Sequence, residues 1–340
     1  VTATLGEGRT PLLPSTGIAR RFGLERLSFK LETVNPSGSY KDRFLASEIT
    51  RLLCRGARAC LATSSGNTGS ALAAYSARYG LRCLIAVNEQ TPAGKLAQMK
   101  AHGAVVVRVR GFGASAAATR SVFELLQELA AELDLPLVVS AFAFCPEGMA
   151  GVESLGRELL DQTGGEPHHV FVPVGSGGLY IAVCRALGRR WPVHAVQTEG
   201  CSTVVAAWER GETLIRPVES TTRISGLSVP FDIDGSAALA ELRACGGAGV
   251  AVSDAEVYEA QRLLLRLEGI FAEPAGAAAL AGLLRLVRQG AFAPETPAVC
   301  LVTGSGFKDP DSIAAAAGDG RELLAAVDEL PELLRREAAA

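Results

Sequence analysis

The eight cysteines, Cys54, Cys60, Cys83, Cys145, Cys184, Cys201, Cys245 and Cys300, include no Cys-x-x-Cys pair. Several lie inside apolar runs such as "CLIAV" and "AVCLVTG", so they read as small buried hydrophobes of a reducing cytosol, and no metal site is expected. There is no basic block either. Lys and Arg number 33 against 36 Asp and Glu, for a net charge of -3, which argues against nucleic acid as a partner. No apolar run reaches the ~18 residues of a membrane span. The opening "VTATLGEGRTPL" lacks the basic and apolar regions of a secretory signal, so the cytoplasm is the expected compartment. Repeats of fixed period and low-complexity linkers are also missing. Aromatics make up only 6% of the chain against 48% hydrophobic residues, with Ala, Leu, Val and Gly prominent, as suits a helix-rich α/β protein. At 340 residues the chain exceeds one ordinary core, and two domains, or one large α/β domain with an excursion, are expected.

Short β-rich runs alternate with helical patterns. The candidate strands are "RLSFKLE", "ACLATS", "RCLIAV", "AVVVRV", "PLVVS", "HVFVPV", "VHAVQT", "GVAVS" and "AVCLVTG". Such alternation predicts parallel sheet covered by helices. Open parallel sheets bind ligands beyond the carboxyl ends of their strands, and four unusual loops fall there. They are "NPSGSYKDR", "TSSGNTG", "PVGSGGL" and "TGSGFKDP".

Each loop has a plain reading and a functional one. Gly175, Ser176, Gly177 and Gly178 stand between a strand and a helix, where backbone N–H groups and the helix N-terminus suit an anion. Tyr180 replaces the last glycine of a dinucleotide fingerprint, so a single phosphate fits better; the plain reading is a tight turn. Ser64, Ser65, Gly66, Asn67 and Thr68 could cradle a carboxylate, or could merely cap a helix. Thr303 brings a hydroxyl to the end of a very apolar strand, where it needs a partner. An ordinary turn with Asp309 as N-cap is the alternative. Lys41 is either a solvated first-turn lysine or an amine set at the unfavourable end of a helix dipole beside Phe44 and Leu45. In a poorly hydrated site, that placement suits a Schiff-base or general-base lysine.

In their order, Lys41, Asn67, Gly175 to Gly178 and Thr303 resemble the fold-type II pyridoxal-phosphate enzymes: threonine synthase, cysteine synthase and serine/threonine dehydratase. The likeness spans about Gly6 to Pro310. It implies an α/β fold with parallel-rich sheets flanked by helices and pyridoxal 5'-phosphate in an interdomain cleft. Residues 1–45 and 147–340 would form the large domain and 46–146 a small mobile one, in a homodimer acting on an amino acid. By resemblance, Lys41 carries the cofactor as a Schiff base and shuttles the Cα proton. Asn67 meets the cofactor's 3'-oxygen, and Ser64, Ser65, Gly66 and Thr68 join it at the substrate carboxylate. The loop Gly175, Ser176, Gly177, Gly178 and Leu179 takes the cofactor phosphate. Thr303 faces the ring nitrogen, and a neutral hydroxyl there suits elimination and replacement over transamination.

"TGSGFKDP" and "GIFAEPAGAAALAG" look most like threonine synthase, whereas "GSGGL" resembles dehydratase loops. A serine/threonine ammonia-lyase is therefore the rival activity, and a catalytically silent amino-acid sensor the rival of another class. Threonine synthases hold their substrate's phosphate partly through an Asn-Pro-x-Arg run after the strand equivalent to "PLVVS". Here Ala141 to Gly151 reads "AFAFCPEGMAG", with no arginine. Phe142, Phe144, Cys145, Pro146 and Met149 are apolar or weakly polar there, and Glu147 has the wrong sign. Leu179 stands where that family often has Asn, and Lys308 and Arg43 follow motif positions common across the branch. The expected substrate lacks a terminal phosphate and has a neutral or apolar side chain.

Overall fold

A computed structural model describes residues 2–64, 66–89, 91, 93–112, 116–318 and 325–339. Ten strands are present among them: β1 (Leu12–Pro14), β2 (Leu27–Leu31), β3 (Ala59–Thr63), β4 (Arg82–Asn88), β5 (Val105–Val109), β6 (Leu137–Val138), β7 (His169–Pro173), β8 (Val193–Thr198), β9 (Gly249–Val252) and β10 (Ala298–Val302). They form two sheets, of order β1-β2-β10-β7-β8-β9 and β5-β4-β3-β6. All pairings are parallel except β1 with β2. The α/β class with parallel-rich sheets is as expected. β1 escapes the sequence pattern because three residues ending in proline carry no period-two signal.

The six-stranded sheet is covered on both faces. In β7 and β10, Val170, Val172, Val299 and Leu301 point into one apolar cluster. Phe171, Ala298, Cys300 and Val302 point into the other, as the alternation of a strand requires. Seven of the eight cysteines are buried and Cys54 is exposed.

The helix Lys41–Cys54 follows the loop that leaves β2. Its first turn carries Asp42, whose carboxylate accepts the Ser37 N–H at 2.8 Å and complements the helix N-terminus. Arg43 then pins the turn from below: its guanidinium reaches Glu32 at 2.7 and 2.8 Å and Glu158 at 2.6 and 2.8 Å. Lys30 joins Glu158 at 2.6 Å. Burial pushes the Glu158 carboxyl up, but the hydrogen bonds from Arg43 and Lys30 outweigh it and bring the pKa down to about 2. Within "KDR", therefore, Asp42 and Arg43 are buried structural groups and Lys41 alone projects to the cleft.

Candidate active site

Three segments pair side by side to build the floor of a cavity of about 630 Å³. The Tyr40 N–H donates to the Thr303 carbonyl at 3.1 Å and the Ser305 N–H to the Gly38 carbonyl at 2.9 Å, which sets Lys41 beside the end of β10. On the opposite edge, Glu273 N–H donates to Gly304 O at 3.0 Å. Gly304 is a close-approach position: a Cβ there would lie 2.0 Å from Glu273 Oε1 and 3.1 Å from Asn67 Nδ2. Only glycine lets these two side chains meet across it, and they do so at 2.5 Å.

Lys41, Ser64, Gly66, Asn67, Thr68, Gly175, Ser176, Gly177, Leu179 and Thr303 all line this cavity. Ser65 lies outside the described residues. Gly178 faces Met149 and Asp234 instead of the cavity. Lys41 Nζ donates to Ser140 Oγ at 2.6 Å, and Ser140 in turn shares a hydrogen bond with Thr68 Oγ1 at 3.0 Å. The loop after β7 turns at Gly177, where φ is 107°, and a Cβ there would lie 2.8 Å from the Asp234 carbonyl. The helix Gly178–Ala186 begins at this point with its first N–H groups uncommitted within the helix. Thr303 is 5% exposed, and its hydroxyl has no partner among the described residues.

Some lining residues were assigned no site role from the sequence: Ser140, Glu273, Gln98 and the loop spanning 219–233. Ser140 is the last residue of the candidate strand "PLVVS" and could have been found by the same rule as the others. The 219–233 loop follows no strand. Lys308 lines the cavity and donates to Gln98 Oε1 at 2.6 Å; burial lowers its pKa to about 8, against the opposing charges of Glu273 and Asp42. Arg43 does not line the cavity. Nor does the segment 141–151: Cys145 and Met149 are buried in the core, Phe142 lies under Arg185, and Phe144 packs on Phe123. Tyr180 is fully buried and donates to the Val193 carbonyl at 2.6 Å, so it fills space that a third fingerprint glycine would leave open. Glu199, at the ribose position of such a fingerprint, pairs with Arg285 at 2.8 Å.

The chain belongs to the family of pyridoxal-phosphate dependent enzymes, which matches residues 3–304. It is thus a pyridoxal-phosphate enzyme of the elimination or replacement kind. It is 32% identical over 344 residues to a threonine synthase of Methanocaldococcus jannaschii, covering 98% of this chain and 83% of that one. It is also 32% identical to a threonine synthase of Mycobacterium tuberculosis, with 91% and 84% covered. Among solved structures, a threonine deaminase from T.th. aligns with a TM-score of 0.73 at 26% identity over 94% of each chain. Diaminopropionate ammonia lyase from Escherichia coli aligns at 0.80 over 95% and 91% of the two chains; at 16% identity it speaks for the fold alone.

The residues present fit the cofactor. A primary amine, a glycine turn opening a helix and a threonine hydroxyl with no partner among the described residues border one cavity, and these are the donors that an aldehyde, a phosphate and a ring nitrogen require.

Proposed function

We propose that Lys41 holds the cofactor and that the enzyme acts at Cβ or Cγ of an amino acid without a terminal phosphate, in the manner of the threonine synthases it resembles. The observation that carries this reading is the convergence of Lys41, Asn67, the Gly175–Leu179 turn and Thr303 on one cavity from four separate segments. When bound, the cofactor supplies an electron-withdrawing ring that weakens the bonds at the amino acid's Cα. The Gly175–Leu179 turn presents N–H groups to its phosphate, Thr303 its hydroxyl to the ring nitrogen, and Asn67 its amide to the 3'-oxygen. Ser64, Ser65, Gly66 and Thr68 hold the substrate carboxylate. Lys41 Nζ takes and returns the Cα proton, with Ser140 and Thr68 fixing its direction through their hydrogen bonds. Residues 46–146 act as the smaller, moving body of the cleft, and the chain works as a cytoplasmic homodimer; buried free thiols favour that compartment.

An uncharged side chain is favoured because the cations at the cavity are few. Lys41 is committed, Lys308 is held by Gln98, and Arg223 is exposed at the rim. An ammonia-lyase is the second reading, supported by the likeness to threonine deaminase. Incubation with serine, threonine, O-acetylserine and O-phosphohomoserine in competition, with products identified by mass, decides between them. Release of a 2-oxo acid from threonine selects the lyase. Preference for O-phosphohomoserine overturns the unphosphorylated substrate, and its loss in Arg223→Ala would then locate the phosphate.

A further inference from the structure

One wall of the cavity takes no part in any of these roles. It is apolar and spans the cleft: Phe123 comes from the helix Ala116–Glu132, on the side of the four-stranded sheet, and Phe231 from the loop ahead of the helix Gly235–Ala244. Their ring centroids are 6.4 Å apart and edge-on at 72°. Phe144 backs Phe123 from outside the cavity at 5.3 Å and 70°. Val229 and Ile233 extend the same wall. The arrangement is held by Asp234, whose carboxylate accepts the Phe142 N–H at 2.6 Å and the Ala143 N–H at 3.0 Å. That tie joins the loop bearing Phe231 to the loop bearing Phe144.

Phe123 and Phe231 are each only half-buried. Two rings presenting faces and edges to a cavity, and supported from behind, have the geometry by which apolar and aromatic groups are bound. Of the charged members of the same loop, Glu219 and Arg223 precede the apolar run, and Asp232, between Phe231 and Ile233, is exposed and accepts hydrogen bonds from Ser236 instead of lining the cavity. We infer that Phe123 and Phe231, with Val229 and Ile233, form a side-chain subsite for an apolar or aromatic group on the amino acid bound in the cleft, and that these two rings set specificity. This rests on the reading of the cavity as an amino-acid site and adds the class of side chain. Because the two rings meet edge-on, a group seated against the pair from the cavity side touches both.

The test is a titration of the cofactor-loaded enzyme, following its visible absorbance, with alanine, norvaline and phenylalanine. Burial of a side chain of that size sets the scale: affinity is expected to rise along the series, with phenylalanine about tenfold or more tighter than alanine. Phe231→Ala should flatten the series while leaving alanine affinity unchanged, and Phe231→Leu should fall between. Equal affinities across the series in the wild-type enzyme overturn the subsite and leave the amino-acid site standing. Equal weakening of all three ligands in Phe231→Ala assigns the ring a purely structural role and also overturns it. Absence of any spectral response to every amino acid removes the underlying reading, and this inference with it. Since the wild-type series is itself decisive, the test survives a variant that fails to fold.

Discussion

The two sides of the cleft are built to different standards. On the large sheet, β8 and β10 are buried at every residue and β7 at all but its first, so the turns at Gly177 and Thr303 leave fully packed strands. On the small sheet, β3 is buried only at alternate positions, and β5, at the edge, leaves Val105 42% and Val107 50% exposed. The loop with Asn67 and Thr68 thus stands on the lighter element. Elements with few buried apolar contacts open at lower free energy. On the proposed reading, the rigid side is the one that would hold the cofactor and the lighter side the one that a substrate would enter.

The bluntest test is to remove Lys41, whose amine reaches the cavity between the two sides. Lys41→Ala is expected to abolish turnover and the visible absorbance of the lysine-bound cofactor. The fold should persist, because among the described residues the Lys41 side chain makes one hydrogen bond, to Ser140, and a contact over the Tyr40 ring at 4.6 Å. Wild-type turnover by a folded variant would remove Lys41 from its proposed role.

Two residues on, the same turn should respond in the opposite way. Arg43→Ala leaves the fully buried Glu32 without a cation, while Glu158 keeps only Lys30. Breaking a buried pair by deleting one partner costs ~3–5 kcal/mol. Denaturant unfolding should register a loss of that order, and Arg43→Lys should recover little, because an ammonium cannot reproduce the two-sided guanidinium contacts. A loss below ~1 kcal/mol would mean that the cluster does not anchor the turn.

How much of this was legible beforehand depends on whether a residue follows a strand. The nine candidate strands correspond to β2 through β10, although "PLVVS" shortens to the two residues of β6. Lys41, Asn67, Gly177 and Thr303 were legible because small and hydroxyl-bearing loops at strand ends stand out against apolar runs. Glu273 and the 219–233 wall were not, since neither follows a strand. Glu273 meets Asn67 across 206 residues of sequence, and no local pattern encodes such a contact. The segment 141–151 misled because its apolar composition reads equally as a substrate wall and as core. Cys145 and Met149 pack inward, and only Phe144 approaches the cleft, from behind Phe123.

A smaller effect is expected from the rigid side. Thr303→Val preserves shape and removes the hydroxyl, and a lost hydrogen bond of this kind raises a barrier by ~1–3 kcal/mol. The corresponding fall in kcat/KM, with a shift of the cofactor absorbance, would place the hydroxyl at the ring. An unchanged rate and spectrum would leave Thr303 as a turn residue.

The finest distinction lies within the turn itself, where Asp42 is fully buried yet only one of its carboxylate oxygens has a partner. Burial raises its pKa to about 6, against the lowering effect of the Ser37 hydrogen bonds and of Lys308. The folded state therefore holds a proton that the unfolded state releases near 3.8. Stability from this group is fully present below that lower value and is lost as pH rises through about 6. Asp42→Asn keeps an oxygen for the Ser37 N–H and carries no charge, so it should gain on the wild type as pH rises from 4 to 7. The shift sets a ceiling of about 3 kcal/mol on that pH-dependent gain, of which about 2 kcal/mol falls between pH 4 and 7; the buried amide's own unmet donors lower the variant equally at every pH. Unfolding free energies of both proteins across that range give the difference directly. If it stays flat with pH, Asp42 is ionised at the same pH in the folded and unfolded chains, and its unpartnered oxygen is compensated in solution.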